Sequence, residues 1–234
     1  MRTTTQINNI KSRISDPYEV KNFLTNDQIL HLINLFETNL KNLNSPVVYK
    51  NTGPVTLDLK PLLEDSIISK ILKDLKDVIG TYEITSAFFF STNYPHIIHN
   101  DDTFELPDNV YKGITIPLKI YGLENIPKLC FFDQFYFHGP AKFFKGSSNI
   151  PTYYNKQIYD YKDVEGLVDT TIQDPENLFT HVKRQWLEGL SVNSTLSWTP
   201  TSALIFDSVR LHCASDFRQQ GITRKLGISI FTKL

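Results

Sequence analysis

The sequence predicts an α+β fold: helices come first, and a closed or sandwiched β-sheet, a distorted barrel, follows. Three observations carry that expectation. Two amphipathic helical stripes lie before residue 80, the period changes to two from Thr81 onward, and many short strand-like runs then alternate with turn residues. At 234 residues the chain suffices for one substantial core and does not require two. The expected organisation is a single domain over 1–234, with helices over about 25–80 and a barrel over about 81–234.

The first helix has a readable start. Thr25 can cap the amides, Gln28 stands at the third helical position, and Leu24 can staple onto Ile29. Ile29, Leu32, Ile33 and Phe36 then recur at spacings of three and four. In the second helix Leu63, Ile67, Ile68, Ile71, Leu72, Leu75 and Ile79 share one face, Lys70, Lys73, Asp74 and Lys76 the other. Gly80 supplies the stop. A helix with one apolar stripe needs a partner, and the residues beyond Gly80 offer sheet.

From Thr81, Tyr82, Ile84, Ser86, Phe88 and Phe90 alternate with Glu83, Thr85, Ala87 and Phe89. Residues 113–122 form a second extended run with Ile114, Ile116, Leu118 and Ile120 alternating, where Pro117 predicts an edge or a bulge. Further strands are expected at 129–137, 141–144, 194–198, 202–207 and 225–232, with turns at His138 to Pro140 and at Thr199-Pro200. The interval 145–190 is polar and tyrosine-rich. It reads as a lid or rim insertion carrying a helix around 176–187.

Composition narrows the function. Lys plus Arg number 24 against 25 for Asp plus Glu, a net charge of -1, so no broad basic field argues for nucleic acid. Two cysteines, Cys130 and Cys213, are too few for a stapling framework. No apolar run approaches membrane-spanning length, and the polar start carries no secretion-like segment, so a soluble, cytoplasmic protein is expected. The 16 Phe, 11 Tyr and 2 Trp can fill wide gaps between sheets, and lean toward a small-molecule or peptide-like substrate. Oligomeric state is not legible.

The chemistry-bearing feature is the segment Tyr94 to Thr103. In an extended chain His99 and Asp101 point to the same side, so an imidazole and a carboxylate can converge on one ion. Such a pair alone is weak, because a polar turn with Asp101 or Asp102 capping local amides has the same spelling. His212, which follows the strand-like run Ala203 to Leu211, would complete three ligands on one face of an octahedron, leaving the other face open, the alternative being a core or rim histidine bonded to Asp207 or Asp216. Arg224, twelve residues later at the mouth of the strand Leu226, Ile228, Ile230, can pair with a dicarboxylate whose other end chelates the metal, the alternative being a solvent-facing residue at a strand start.

The stretches Asn22 to Gln28, His99 to Asp101, Trp198 to Asp207 leading to His212, and Gly221 to Arg224 leading into Gly227 to Phe231 carry a resemblance. Together they resemble the Fe(II)- and 2-oxoglutarate-dependent dioxygenases, particularly the prolyl-hydroxylase-like and small phage or bacterial members. The resemblance implies a double-stranded β-helix (jelly roll) flanked by N-terminal helices. It also implies Fe(II) held by His99, Asp101 and His212, with 2-oxoglutarate and O2 as cosubstrates and Arg224 on the distal carboxylate. Arg218 is the lesser candidate for that pairing, and the carboxylate at 101 argues against the halogenating branch. The spacing from His212 to Arg224 is longer than usual in the family, and Leu226 stands where many members have serine.

Around this centre, Tyr94 is a candidate for the cosubstrate pocket, and Asp102 for a hydrogen bond to a ligand. Gln134, Tyr136 and His138 form a candidate substrate-facing row, the alternative being a solvent face with the phenylalanines as core. His96 and His99 lack the glutamate of a zinc-protease helix. Competing readings are a cupin-type oxygenase without 2-oxoglutarate, a non-catalytic jelly-roll binding protein, and a Zn(II) hydrolase using Asp102.

Overall fold

A computed structural model describes residues 2–42, 55–103, 105, 108–123, 125–140, 176–187 and 190–234. The elements run α1 (Thr4–Lys11), β1 (Tyr18–Val20), α2 (Asn26–Asn42), β2 (Val55–Asp58), a 3₁₀ turn (Lys60–Leu62) and α3 (Ser66–Ile79). Then come β3 (Glu83–Thr92), β4 (Val110–Gly122), β5 (Lys128–Phe135), α4 (Arg184–Leu187), β6 (Val192–Ser197), β7 (Ala203–Asp207), β8 (Arg210–Ala214) and β9 (Ile222–Lys233). The strands form a six-stranded sheet ordered β1-β7-β4-β9-β3-β2 and a three-stranded sheet ordered β6-β5-β8. All the pairings are antiparallel.

The helices start where the side chains satisfy their free amides. Thr25 and Gln28 form a reciprocal box, with the Gln28 amide donating to Thr25 Oγ1 (3.2 Å) and the Thr25 amide to Gln28 Oε1 (2.9 Å). Asp65 accepts from the amides of Ile67 and Ile68 at the start of α3, and Gly80 ends it at φ 82°, a conformation L side chains resist. Ile68, Ile71, Leu75 and Ile79 of α3 join Leu32 and Phe36 of α2 against Ala87, Phe89, Ile114, Ile116, Leu226, Ile228 and Ile230. The helices therefore cover one face of the six-stranded sheet, and its other face looks toward the smaller sheet.

Of the two outcomes expected at Pro117 the bulge holds: β4 lies between β7 and β9, and the missing donor is absorbed by a bulge between Pro117 and Lys119. Two other expectations need correction. Residues 203–211 are not one strand. A turn at Ser208 and Val209 divides them, so β7 joins the large sheet and β8 the small one. Of the helix expected over 176–187 only Arg184–Leu187 is helical, and Leu178, Phe179, Val182, Trp186 and Leu187 pack into a buried cluster with Ile98, Phe132 and Leu211. The expected strand 141–144 and most of the 145–190 insertion lie outside the described residues. Among described residues no helix is long and apolar enough to cross a membrane.

Candidate metal centre

His99 and Asp101 pair with β8 and with the turn before it, and the alternation of residues 98–101 builds the site. His99 forms a bridge with His212: the His99 amide donates to the His212 carbonyl (2.9 Å) and the His212 amide to the His99 carbonyl (2.8 Å). Two residues on, the Asp101 amide donates to the carbonyl of Ser208 in the β7–β8 turn (2.8 Å). The alternate residues fasten the segment from its other side. Ile98 is fully buried, and Asn100 donates to the carbonyls of Tyr136 (3.1 Å) and Gly139 (3.0 Å). His99, Asp101 and His212 are thereby left facing one point.

The metal-binding atoms of those three side chains lie within 4.8 Å of one another. Nε2 of His212 is 3.3 Å from Asp101 Oδ2, and Nε2 of His99 is 3.6 Å from Oδ1. Each imidazole has its other nitrogen occupied by a main-chain carbonyl, Nδ1 of His99 by Ile97 (2.6 Å) and Nδ1 of His212 by Arg210 (3.0 Å). As a donor there, each ring keeps a proton on Nδ1 and turns Nε2 toward the shared point, the orientation a metal-ligating histidine requires.

Electrostatics suit the same occupant. Burial, reinforced by the facing His212 ring, pushes His99 down to about 3. Burial pushes Asp101 up, but the charge and hydrogen bond of His212, with help from His99, bring it below its usual value. A neutral His99 beside an ionised Asp101 can take a divalent cation without releasing protons from these two groups near neutrality. Phe206 and Phe131 wall the His212 ring, at centroid distances of 4.6 and 5.9 Å. Gly113 makes room for that wall, since a β-carbon there would lie 2.7 Å from Phe206 Cε2 and 3.4 Å from Asp101 Oδ2.

Arg224 does not reach this interior. It is exposed, stands opposite Tyr121 on β4, and stacks its guanidinium 3.9 Å from that ring. It shares strand parity with Leu226, Ile228 and Ile230, which pack toward the helices. Lys225 turns inward instead. It is 4% exposed, and its ammonium lies 4.8 Å from the Trp198 ring and 4.7 Å from Phe217. Burial pulls it down to about 7, with Cys130 opposing. Among described residues no carboxylate lies within ion-pair distance of it. Trp198 belongs to the same cluster as Phe131 and Phe206, so Lys225 and His212 border one aromatic interior.

Other expected residues sit elsewhere. Tyr94 is 44% exposed and lines an open groove of about 350 Å³ with Asn93, Arg218, Gly221, Ile222 and Thr223. Arg218 lies over the Tyr94 ring and within 3.7 Å of Asp216, so neither residue enters the interior. The expected row over Gln134, Tyr136 and His138 is broken. Gln134 is buried and committed to Ser191 through both ends of its amide, and β5 stops at Phe135. Tyr136 and His138 remain half-buried with their rings 5.8 Å apart. Asp102 is buried and paired with Arg2, a residue that no local motif singles out.

No family model and no curated protein matches the chain. Solved structures share its fold. The non-haem α-ketoglutarate-dependent carbocyclase SnoK from nogalamycin biosynthesis aligns with a TM-score of 0.55 at 10% identity, over 99% of this chain and 84% of its own. The non-haem α-ketoglutarate-dependent epimerase SnoN from the same biosynthesis gives 0.53 at 12%, over 98% and 83%. A prolyl-4-hydroxylase from Pseudomonas putida gives 0.51 at 7%, over 98% and 97%.

Proposed function

We propose that the chain is an Fe(II)- and 2-oxoglutarate-dependent dioxygenase that hydroxylates an unactivated C–H bond, within a single domain built on a double-stranded β-helix. The observation that carries this reading is the meeting of His99, Asp101 and His212, two imidazoles and one carboxylate brought from distant parts of the chain. That donor set is the one expected of non-haem Fe(II) with open positions. Two structures sharing the fold are named as α-ketoglutarate-dependent, which supports the same reading.

The residues present fit both groups. His99 and His212 offer Nε2, Asp101 supplies the charge that partly neutralises the cation, and the ring orientations are fixed by the carbonyls of Ile97 and Arg210. Lys225, an inward ammonium without a protein carboxylate among the described residues, needs an anion, and the distal carboxylate of 2-oxoglutarate supplies one. This role passes to Lys225 from Arg224. Phe131, Phe206, Trp198 and Phe217 border these groups with aromatic rings, a wall of low polarity that strengthens each charge interaction beside it. When bound, Fe(II) with 2-oxoglutarate and dioxygen supplies the oxidation, with succinate and carbon dioxide released. Tyr136 and His138 stand beside the Asn100 anchor and are the candidates to meet a small-molecule or peptide-like substrate.

The competing readings fare worse. A binding-only jelly roll has no use for two imidazoles and a carboxylate converging on one point, and a cupin-type oxygenase without a keto acid leaves Lys225 without its anion. A hydrolytic zinc centre would need Asp102 as acid or base, and Arg2 already engages that carboxylate. The deciding experiment is an anaerobic titration of iron-loaded protein with 2-oxoglutarate, watched by visible absorption. A weak charge-transfer band is expected, lost in Asp101→Ala and His212→Ala. Folded, iron-loaded protein showing no band overturns the assignment.

A further inference from the structure

We infer that Arg2 is a positioning residue for the metal-binding loop, an inference that rests on the metal centre proposed above. The side chains of Arg2 and Asp102 are both fully buried. The guanidinium grips both oxygens of Asp102, with Nη2 donating to Oδ1 at 2.8 Å and Nη1 donating to Oδ2. Nη1 also donates to the carbonyl of Phe137 (2.8 Å). Asp102 follows the ligand Asp101 directly, and its Oδ1 accepts from the Thr103 amide (2.7 Å).

The ligand loop is thus joined to residues 136–139 at two points. Asn100 makes the first, through the carbonyls of Tyr136 and Gly139. Arg2 makes the second by bridging Asp102 to Phe137. His99 and Asp101 occupy the inward positions between and beside these ties, so the ties set where the two ligands point.

Helix α1 does not need this pair for its own formation. Thr3 and Gln6 already complete a reciprocal cap at its start, and Ile7, Ile10 and Ile14 dock it on Val110, Phe137 and Val209. A buried charge is costly where apolar contact would do, so the guanidinium calls for a role of its own. Its planar fork fits two carboxylate oxygens and a carbonyl at once, which an ammonium cannot match. Holding Asp102 away also leaves Asp101 as the carboxylate turned toward the metal.

The test is Co(II) binding to the metal-free protein, measured by isothermal titration and by the visible d–d bands of the ion. Arg2→Gln is expected to weaken Co(II) about tenfold or more, the scale of losing a group that orients a ligand. Arg2→Lys, which keeps charge but not the fork, is expected to fall between, and reads the effect if Arg2→Gln does not fold. Ile10→Ala is the control. It loosens the docking of α1 and lowers the melting temperature while leaving Co(II) affinity in the folded protein unchanged.

Wild-type protein that binds no Co(II) overturns the metal centre and this inference together. Wild-type protein that binds while the Arg2 variants bind equally well overturns this inference alone. Arg2→Gln and Ile10→Ala weakening the ion to the same degree also overturns it, by reducing the effect to general stability.

Discussion

The main chains of His99 and His212 exchange hydrogen bonds in both directions, at 2.9 and 2.8 Å, across 113 residues of sequence. The two imidazoles are therefore neighbours because their backbones are paired, with ring centroids 4.3 Å apart. Their separation is set by strand pairing, whose spacing varies little, and not by loops free to drift.

Lys225 and Arg224 separate the inward and outward faces of β9 in one pair of variants. Lys225→Met is expected to raise the 2-oxoglutarate concentration needed for half-saturation at least tenfold, the cost of a lost charge-assisted contact of about 1.5–3 kcal/mol. Arg224→Ala is expected to leave it unchanged and to cost less than about 1 kcal/mol of stability, since its contact with Tyr121 is exposed. Equilibrium titration of both variants checks this, and the reverse ranking would restore Arg224 as the anchor.

The same lysine gives the cosubstrate-free protein a pH signature. Its folded value of about 7 lies below the ordinary 10.5, so between these limits the unfolded chain holds more protons than the folded one. Stability therefore rises as pH increases from about 7 to about 10.5, with a slope of up to about 1.4 kcal/mol per pH unit. Below pH 7 the cost of burying the ammonium is present in full. Urea unfolding at a series of pH values should show the rise, and Lys225→Met should flatten it and be more stable at pH 7 by about 1–3 kcal/mol. Parallel curves for the two proteins would contradict it.

Gly113→Ala tests the wall behind the metal ligands. The added methyl would lie 2.7 Å from Phe206, so that ring must shift, and Phe206 packs on His212. The expected cost is about 1–3 kcal/mol in stability together with weaker metal binding. Calorimetry and a Co(II) titration read the two effects separately, and an unchanged Co(II) affinity would confine Gly113 to packing.

Asp65→Ala should cost about 1 kcal/mol, because the carboxylate caps α3 through Ile67 and Ile68 and also meets His31. Burial opposes ionisation of Asp65, yet His31 and the two amides hold its carboxyl below 3.8. Its contribution is full above the ordinary value and disappears as pH falls through the lowered one. Thermal melts of both proteins at pH 7 and pH 3 should show the gap narrowing in acid.

The helices were legible because their information is local: the box at Thr25 and Gln28, the stripe through Ile68, Ile71, Leu75 and Ile79, and the stop at Gly80 each lie within a few residues. The approach of His99, Asp101 and His212 was legible in residue type and order. Which of the residues at the start of β9 faces inward was not legible, because β9 is buried on both faces. Its apolar residues Leu226, Ile228 and Ile230 look toward the helices, and alternation alone does not say which side that is. Parity offered the missing signal: a residue in step with that stripe goes to the helical side, which sends Lys225 inward. Arg2 had no local signal, since its partner is 100 residues away.

The placement of β9 between β3 and β4 has a consequence for biosynthesis. Two strands made early and close together never pair with each other; each waits for a segment translated about 100 residues after β4 ends. While that segment is still in the ribosome, β3 and β4 both present apolar edges with unpaired amides and carbonyls, the surface on which chains stick to one another. Assembly of the large sheet is therefore a late event, and a nascent chain is most exposed to aggregation in the interval just before β9 emerges.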